Sequence, residues 1–195
     1  MEERPTSGKK TDTLLRHQAV LAKFGELALQ SDNLDEILTQ ACHLVGQALD
    51  TDLAKVVELQ QDGQTLIVRA GVGWKHGVVG VAHINLSEKS SESFALKTGE
   101  PMISADIDKE TRFEYAEFLK ENGVKAIVNV AILGSENKIP FGILQVDSRT
   151  PREFTDADIL FLRGYANLIA ASVARLRAHE EMRLKNLELE QLLRV

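Results

Sequence analysis

The residues best suited to chemistry are concentrated in the middle of this 195-residue chain. Trp74, His76, His83, Phe94, Asp106, Arg112, Phe113 and Tyr115 fall in a stretch punctuated by Gly71, Gly73, Gly77 and Gly80. A small-molecule pocket needs an apolar lining and a few convergent polar groups, and this polar-aromatic set offers both. The plainer alternative is that these residues pack a loop against a sheet. Arg112 is the first candidate to pair with an anionic ligand group, because a guanidinium presents a planar fork of donors. Its competing role is a salt bridge to Asp106 or Glu110. Trp74 and Phe113 would wall a pocket or fill core. Asn129 and Gln145 interrupt apolar, strand-like runs; if they face inward they need partners, and a ligand could be one. The candidate ligand-binding set is therefore Trp74, His83, Phe94, Asp106, Arg112, Phe113, Asn129 and Gln145.

Catalytic and metal motifs are missing by spacing. His179-Glu180-Glu181-Met182-Arg183 starts like a zinc-protease helix, but Arg183 stands where the second histidine ligand would be. Asp106, Asp108 and Glu110 alternate, yet lack the glycine and terminal glutamate of a calcium loop. The glycines at 71, 73, 77 and 80 miss the dinucleotide-binding spacing, and no phosphate-binding loop of the GxxxxGK type exists. The single cysteine, Cys42, can form neither an internal disulfide nor a multi-cysteine zinc site. Lying among Leu38, Ala41 and Val45 at helical spacing, it reads as a small buried hydrophobe. The expectation is a binding domain without a catalytic or metal site.

The elements that would position the candidates are legible from periodicity. Residues 1–11 read as a disordered tail and 12–31 as an N-terminal helix with its terminal break. Residues 34–49 place Leu34, Ile37, Leu38, Ala41, Leu44, Val45, Ala48 and Leu49 at 3, 4, 7 spacing, a stripe suited to lying on a sheet. Strands are expected at 53–60 and 65–71, joined by a hairpin turn at 61–64. A short strand at 81–85, a short helix at 90–97 and an extended piece at 101–104 follow. After a polar loop comes a short helix at 114–122. Strands at 125–133 and 139–147 flank a second turn at 134–137. Thr155, with Asp158 three residues on, resembles a capping box opening a long helix. Two hairpins with flanking helices imply an α+β fold around a largely antiparallel sheet.

Net charge is −6, from 29 acidic and 23 basic residues, which gives no reason to expect nucleic-acid binding. The amino terminus has no apolar signal core, and no apolar stretch approaches the ~20 residues that span a bilayer. A cytoplasmic location without a membrane span is expected.

The segments SDNLDEILTQACHLVGQAL, RAGVGWKHGVVG, SESFALKTGEPMISADI, GVKAIVNVAIL, IPFGILQVDS and FTDADILFLRGYANLIAASV, in this order, resemble the GAF domain family. The likeness covers about residues 34–176. RAGVGW, with ETRF after the DID loop, looks most like the sensory GAF domains of bacterial two-component sensor histidine kinases. The resemblance implies a GAF-like, PAS-related central antiparallel sheet with flanking helices and long N- and C-terminal helices, the ligand pocket being roofed by residues 74–123. A PAS domain is the competing fold, but the helix, strand and hairpin opening favours GAF. The implied organisation is a GAF domain over 32–176 and a signalling helix or coiled-coil stalk over 177–195, the chain stopping in mid-helix as if cut before an output domain.

The family's known chemistries can be compared with these residues. Cyclic-nucleotide-binding members often carry Asn-Lys, then Phe, three residues, Asp-Glu. Here Phe154 and Asp158 fit, while Asp147-Ser148 and Ile159 do not. Covalent bilin attachment needs a thiol in the middle region or an amino-terminal arm, and neither residues 1–41 nor the middle region has one. Free methionine sulfoxide reductases of this fold work with several cysteines. Haem would need a histidine ligand such as His83 or His76; a lone histidine is more often structural. The cofactor is left open. In the long C-terminal helix Ile159, Leu162, Ala166, Ile169, Val173 and Leu176 form a heptad-like seam, and the first helix has no other obvious partner. The expectation is a homodimer through the N- and C-terminal helices, sensing a small molecule and passing the signal to an output kinase domain in cis. The runner-up is a ligand-free structural dimerisation module.

Overall fold

The computed structural model describes residues 7–134 and 139–193. Eleven elements follow in the order α1 (Ser7–Gln30), α2 (Leu34–Ala48), β1 (Leu53–Leu59), β2 (Thr65–Val72), β3 (His83–Asn85), α3 (Ser91–Thr98), β4 (Met102–Ser104), α4 (Glu117–Glu121), β5 (Ala126–Ile132), β6 (Gly142–Ser148) and α5 (Asp156–Leu192). The strands form one antiparallel sheet in the order β3-β2-β1-β6-β5-β4. This is the α+β, GAF-like architecture expected, with the last strand in sequence inserted at the centre.

The sheet separates two cores. On one face Ala54, Val56, Val128, Leu144 and Val146 meet the stripe of α2 and the buried faces of α1 and α5. On the other, Leu53, Val57, Leu66, Ile127 and Ile143 meet α3, α4 and the long loops. One irregularity lets β2 serve both. The register with β1 shifts between Val56 and Val57, so that Val57 faces Val68 but Val56 faces Ala70. The extra residue, Arg69, turns the strand over. Leu66 and Val68 therefore join the loop-side core, and Ala70 and Val72 the helix-side core. Arg69 itself pairs with Asp35 and Glu58. At the end of β2, Gly73 has φ 81°, and a Cβ there would lie 1.9 Å from the carbonyl oxygen of Asp52. Only glycine permits that approach, which brings Trp74 back over β1.

Several boundaries differ from those read in the sequence. The first helix starts at Ser7 and takes in 7–11 of the expected tail, because extending a helix costs less than nucleating one. Residues 1–6 lie outside the described residues. So do 135–138, which hold most of the second hairpin's turn, and 194–195. Helix α4 starts at Glu117, three residues late, because the amide of Glu114 donates to Lys89 O and Glu114 bridges to Ser90. Strand β6 starts at Gly142: Pro140 has no N–H to give a ladder, and the amide of Phe141 closes the pair by donating to Ile132 O at 2.8 Å.

Two readings need correction. The first helix has a partner within its own chain: Phe24 is fully buried and stacks on Tyr165 of α5 at 4.7 Å, and His17 stacks on Phe161 at 4.3 Å. A dimer is not needed to cover that face. Helix α5 also contains an 18-residue window of mean hydropathy 1.3, long and apolar enough by composition to cross a membrane. In the fold, its Phe161, Leu162, Tyr165, Ala166, Ile169 and Val173 are buried in the helix-side core instead. Residues 177–193 of that helix are exposed throughout.

The capping box is formed: Asp158 N donates to Thr155 Oγ1, and Thr155 N to Asp158 Oδ2. Thr155→Ala should lower stability by about 1 kcal/mol, read as a shift of the urea midpoint at constant slope. No shift would mean that packing alone holds the start of α5.

Candidate functional site

Across the centre of the loop-side face runs a row of polar residues. Lys55 on β1 is the register partner of Gln145 on β6, and Gln145 of Asn129 on β5. Alternation along each strand puts all three on the same face, between Leu53 and Val57 on β1 and between Ile127 and Ala131 on β5. Asp147 follows on the same face of β6. Helix α3 covers the row. Ser90 caps it by accepting from Ser93 N, and Gly99 ends it in the left-handed region. Its first turn thereby presents Ser91 and Glu92 inward.

Lys55, Asn129, Gln145 and Asp147 are fully buried, and Ser91 and Glu92 nearly so. The Lys55 ammonium donates to Asp147 Oδ2 at 3.1 Å. Gln145 Nε2 donates to the other oxygen of Asp147 at 2.5 Å. Asn129 Nδ2 donates to Ser91 Oγ at 3.1 Å, and that hydroxyl donates to Glu92 Oε2 at 3.0 Å. Lys55 also lies 4.3 Å above the Trp74 ring and 5.6 Å from Phe118, a cation–π arrangement. Trp74 is fixed in turn by its Nε1 donating to Ala54 O at 2.9 Å and by an edge contact to Phe118. Burial pushes the Lys55 pKa down, opposed first by Asp147 and then by Glu92. Burial likewise pushes both carboxyls up, opposed at Asp147 first by Lys55 and at Glu92 first by its own backbone amide and then by Lys55. Two polar atoms of the row, Asn129 Oδ1 and Gln145 Oε1, accept no hydrogen bond from the protein.

The eight sequence candidates fall in four places rather than one. Trp74, Asn129 and Gln145 belong to the buried cluster. Asp106 and Arg112 line an open cleft of about 640 Å³ together with Ser104, Glu110 and Arg152. There Arg112 grips Glu110 with Nε to Oε1 at 2.9 Å and Nη2 to Oε2 at 2.6 Å, and also donates to Ile103 O. Those hydrogen bonds hold the Glu110 carboxyl down at about 2. The salt-bridge role of Arg112 is thus the one realised, with Glu110 rather than Asp106; Asp106 pairs with Lys109. Phe94 and Phe113 form an edge-to-face pair at 5.8 Å on the outside of the roof. His83 is exposed on β3 and lines a cavity of about 270 Å³ with Ser87, Glu114 and Tyr115.

Lys55, Asp147, Ser91 and Glu92 were missed. The signal for the first two was present: each shares the inward parity of its strand with apolar neighbours, like Asn129 and Gln145. Ser91 and Glu92 gave none, because a charged first turn is ordinary at a solvated helix end. Asp158, which fits the cyclic-nucleotide pattern, is occupied in the cap of α5 and lies 3.7 Å from His17. Cys42 is buried in the helix-side core, across the sheet from the polar row, and burial pushes its thiol up to about 12. Among the described residues no three His, Cys, Asp or Glu side chains gather as metal ligands.

An antiparallel sheet with a helical bundle on one face and a looped roof over polar groups on the other defines a sensory-type domain. The GAF domain family model matches residues 33–173, and the chain belongs to the GAF family, a sensory and regulatory fold of signalling proteins. The GAF domain of a phosphoenolpyruvate-protein phosphotransferase from Coxiella burnetii is similar in structure, with 18% identity, a TM-score of 0.76, and 86% of this chain and 98% of that one covered. A domain of a putative two-component sensor histidine kinase protein from Sinorhizobium meliloti 1021 has 20% identity and a TM-score of 0.59, with 78% and 99% covered. Free methionine-R-sulfoxide reductase from Neisseria meningitidis, in complex with its substrate, has 13% identity and a TM-score of 0.69, with 84% and 91% covered. At these identities the likeness is one of fold. No curated protein sequence matches the chain.

Two outcomes follow from the site. Lys55→Met and Asp147→Leu should each cost about 3–5 kcal/mol, because each strands a buried charge, while the double variant recovers most of that loss. Urea denaturation of the four proteins measures the coupling; additive losses would contradict it. Since the thiolate is the reactive form, iodoacetamide at pH 8 should label Cys42 only as fast as the protein unfolds, and rapid native labelling would contradict that.

Proposed function

We propose that this domain senses a small polar molecule at the buried cluster over the sheet centre and acts by binding rather than catalysis. The observation that carries the reading is the pair of fully buried amide oxygens, on Asn129 and Gln145, that accept no hydrogen bond from the protein. Such groups cost about 1–3 kcal/mol each when unsatisfied, and a bound molecule that donates to both would recover that cost. A ligand that prefers one arrangement of the roof would shift an existing equilibrium between roof states. Helix α5 touches β5 and β6, the two strands that carry Asn129 and Gln145, so it is the element through which a shift would leave the domain. In this reading the protein works as a homodimer joined along α5, with an output kinase domain in cis, as part of a two-component sensor.

The dimer draws support from the exposed end of α5. Residues 178–193 are exposed throughout, and helices in proteins draw most of their stability from packing one face against a partner. Met182, Leu184, Leu187 and Leu189 would be covered in a paired stalk.

A ligand-free structural module is the second reading. It is favoured by one observation: Lys55 already fills the space between Trp74 and Asp147, and the charged and amide groups of the cluster are closed to solvent. Mass spectrometry of small molecules released from the purified protein, followed by a thermal-shift screen, separates the two. A true ligand at a hundred times its Kd should add about 2.7 kcal/mol of stability. No released compound and no stabilising one would leave the structural module. Light scattering tests the dimer, and a monomeric mass at micromolar concentration would remove it.

A further inference from the structure

The cluster is lopsided in both charge and hydrogen-bonding sense. It holds two carboxylates, Asp147 and Glu92, against one ammonium, Lys55. The ammonium is engaged by Asp147 and by the faces of Trp74 and Phe118. Each amide nitrogen has an acceptor: Gln145 Nε2 has Asp147, and Asn129 Nδ2 has Ser91. The cluster atoms left with no partner at all are both acceptors. Asn129 Oδ1 and Gln145 Oε1 accept nothing from the protein. Glu92 receives a side-chain hydrogen bond only from Ser91 among the described residues, and it is the carboxylate without an ammonium of its own.

Three acceptors, one of them a carboxyl group with no ammonium of its own, match the three N–H donors of a primary ammonium, which has no acceptor to offer in return. An anionic head group would meet two carboxyl groups, and every nitrogen of the cluster already has an oxygen partner, which selects against it. Taking the buried cluster as the ligand site, as above, we propose that it recognises the primary ammonium head of a small organic cation, held by Asn129 Oδ1, Gln145 Oε1 and Glu92. The organic tail points toward Ser104 and Tyr115. Their hydroxyl oxygens are buried, Ser104 borders the open cleft, and Tyr115 borders the smaller cavity. Lys55, Asp147 and Tyr115 are the other titratable groups that act on Glu92 or respond to it.

The test is a titration of the full chain, labelled with nitrogen-15, using ethylammonium chloride as the probe. Sodium acetate, 1-propanol and sodium chloride at matched ionic strength are the comparisons. The readouts are the side-chain amide resonances of Asn129 and Gln145 and the thermal midpoint. The expected result is a saturable shift of both amides and a raised midpoint with ethylammonium alone. Glu92→Gln should weaken that binding about tenfold, the loss of one hydrogen bond to a charged group; should this variant not fold, the wild-type titration still decides. Equal binding by Glu92→Gln overturns the proposal. Acetate or propanol acting on the two amides instead refutes the ammonium head but leaves the cluster as a ligand site. If no probe moves them, and relaxation measurements find only a long-lived water beside them, both the ammonium head and the ligand site are refuted.

Discussion

A lysine and an aspartate buried together at the centre of a six-stranded sheet constrain most of what surrounds them. Removing two charges from water is costly, and their attraction repays it only with good geometry and with hydrogen bonds for the remaining polar atoms. Asp147 meets that condition by accepting from Lys55 on one oxygen and Gln145 on the other. The pairing of β1 with β6 is thereby tied to one register. A slip of one residue would turn Lys55 toward the apolar stripe of α2, where nothing could accept its protons. The same requirement reaches the roof, since Glu92 and Ser91 come from α3 and Trp74 from the loop after β2.

The two faces of the sheet therefore do different work. The helix side is apolar and close-packed, and its few polar contacts are terminal ones, such as the Tyr165 hydroxyl donating to Ala41 O at 2.9 Å. The loop side holds the buried charges under short helices and a three-residue edge strand. Local opening concentrates where apolar packing is thinnest, and that is the loop side. The bulge at Arg69 belongs to the same plan: it lets one strand contribute two residues to each core and frees a guanidinium to tie β1 to α2 through Glu58 and Asp35.

Much of the fold was legible. The stripe of α2 has only one sensible partner, a flat apolar surface, and β1 and β2 provide it. The candidate site was legible only in part. Asn129 and Gln145 stand out because an amide in an apolar strand needs a partner wherever it ends up. Arg112 stands out too, but its partner, Glu110, lies two residues away, and local pairing takes the charge that a ligand would have needed. Lys55 was passed over because a lone lysine in a strand is ordinarily solvated, and the strand gives no hint that its flank is roofed.

Periodicity, caps and breakers act over a few residues, so the chain by itself determined where helices and strands lie, which face of α2 is apolar, and how α5 is capped. Family-wide order of those segments determined the fold. What meets across the sheet is a different matter. Lys55 and Asp147 are separated by 92 positions and Asn129 and Ser91 by 38, and no local rule pairs residues so far apart. Only the register of the strands and the docking of α3 brought one lysine, two carboxyl groups and two amides into a single buried cluster, where burial makes their charges and unmet hydrogen bonds count.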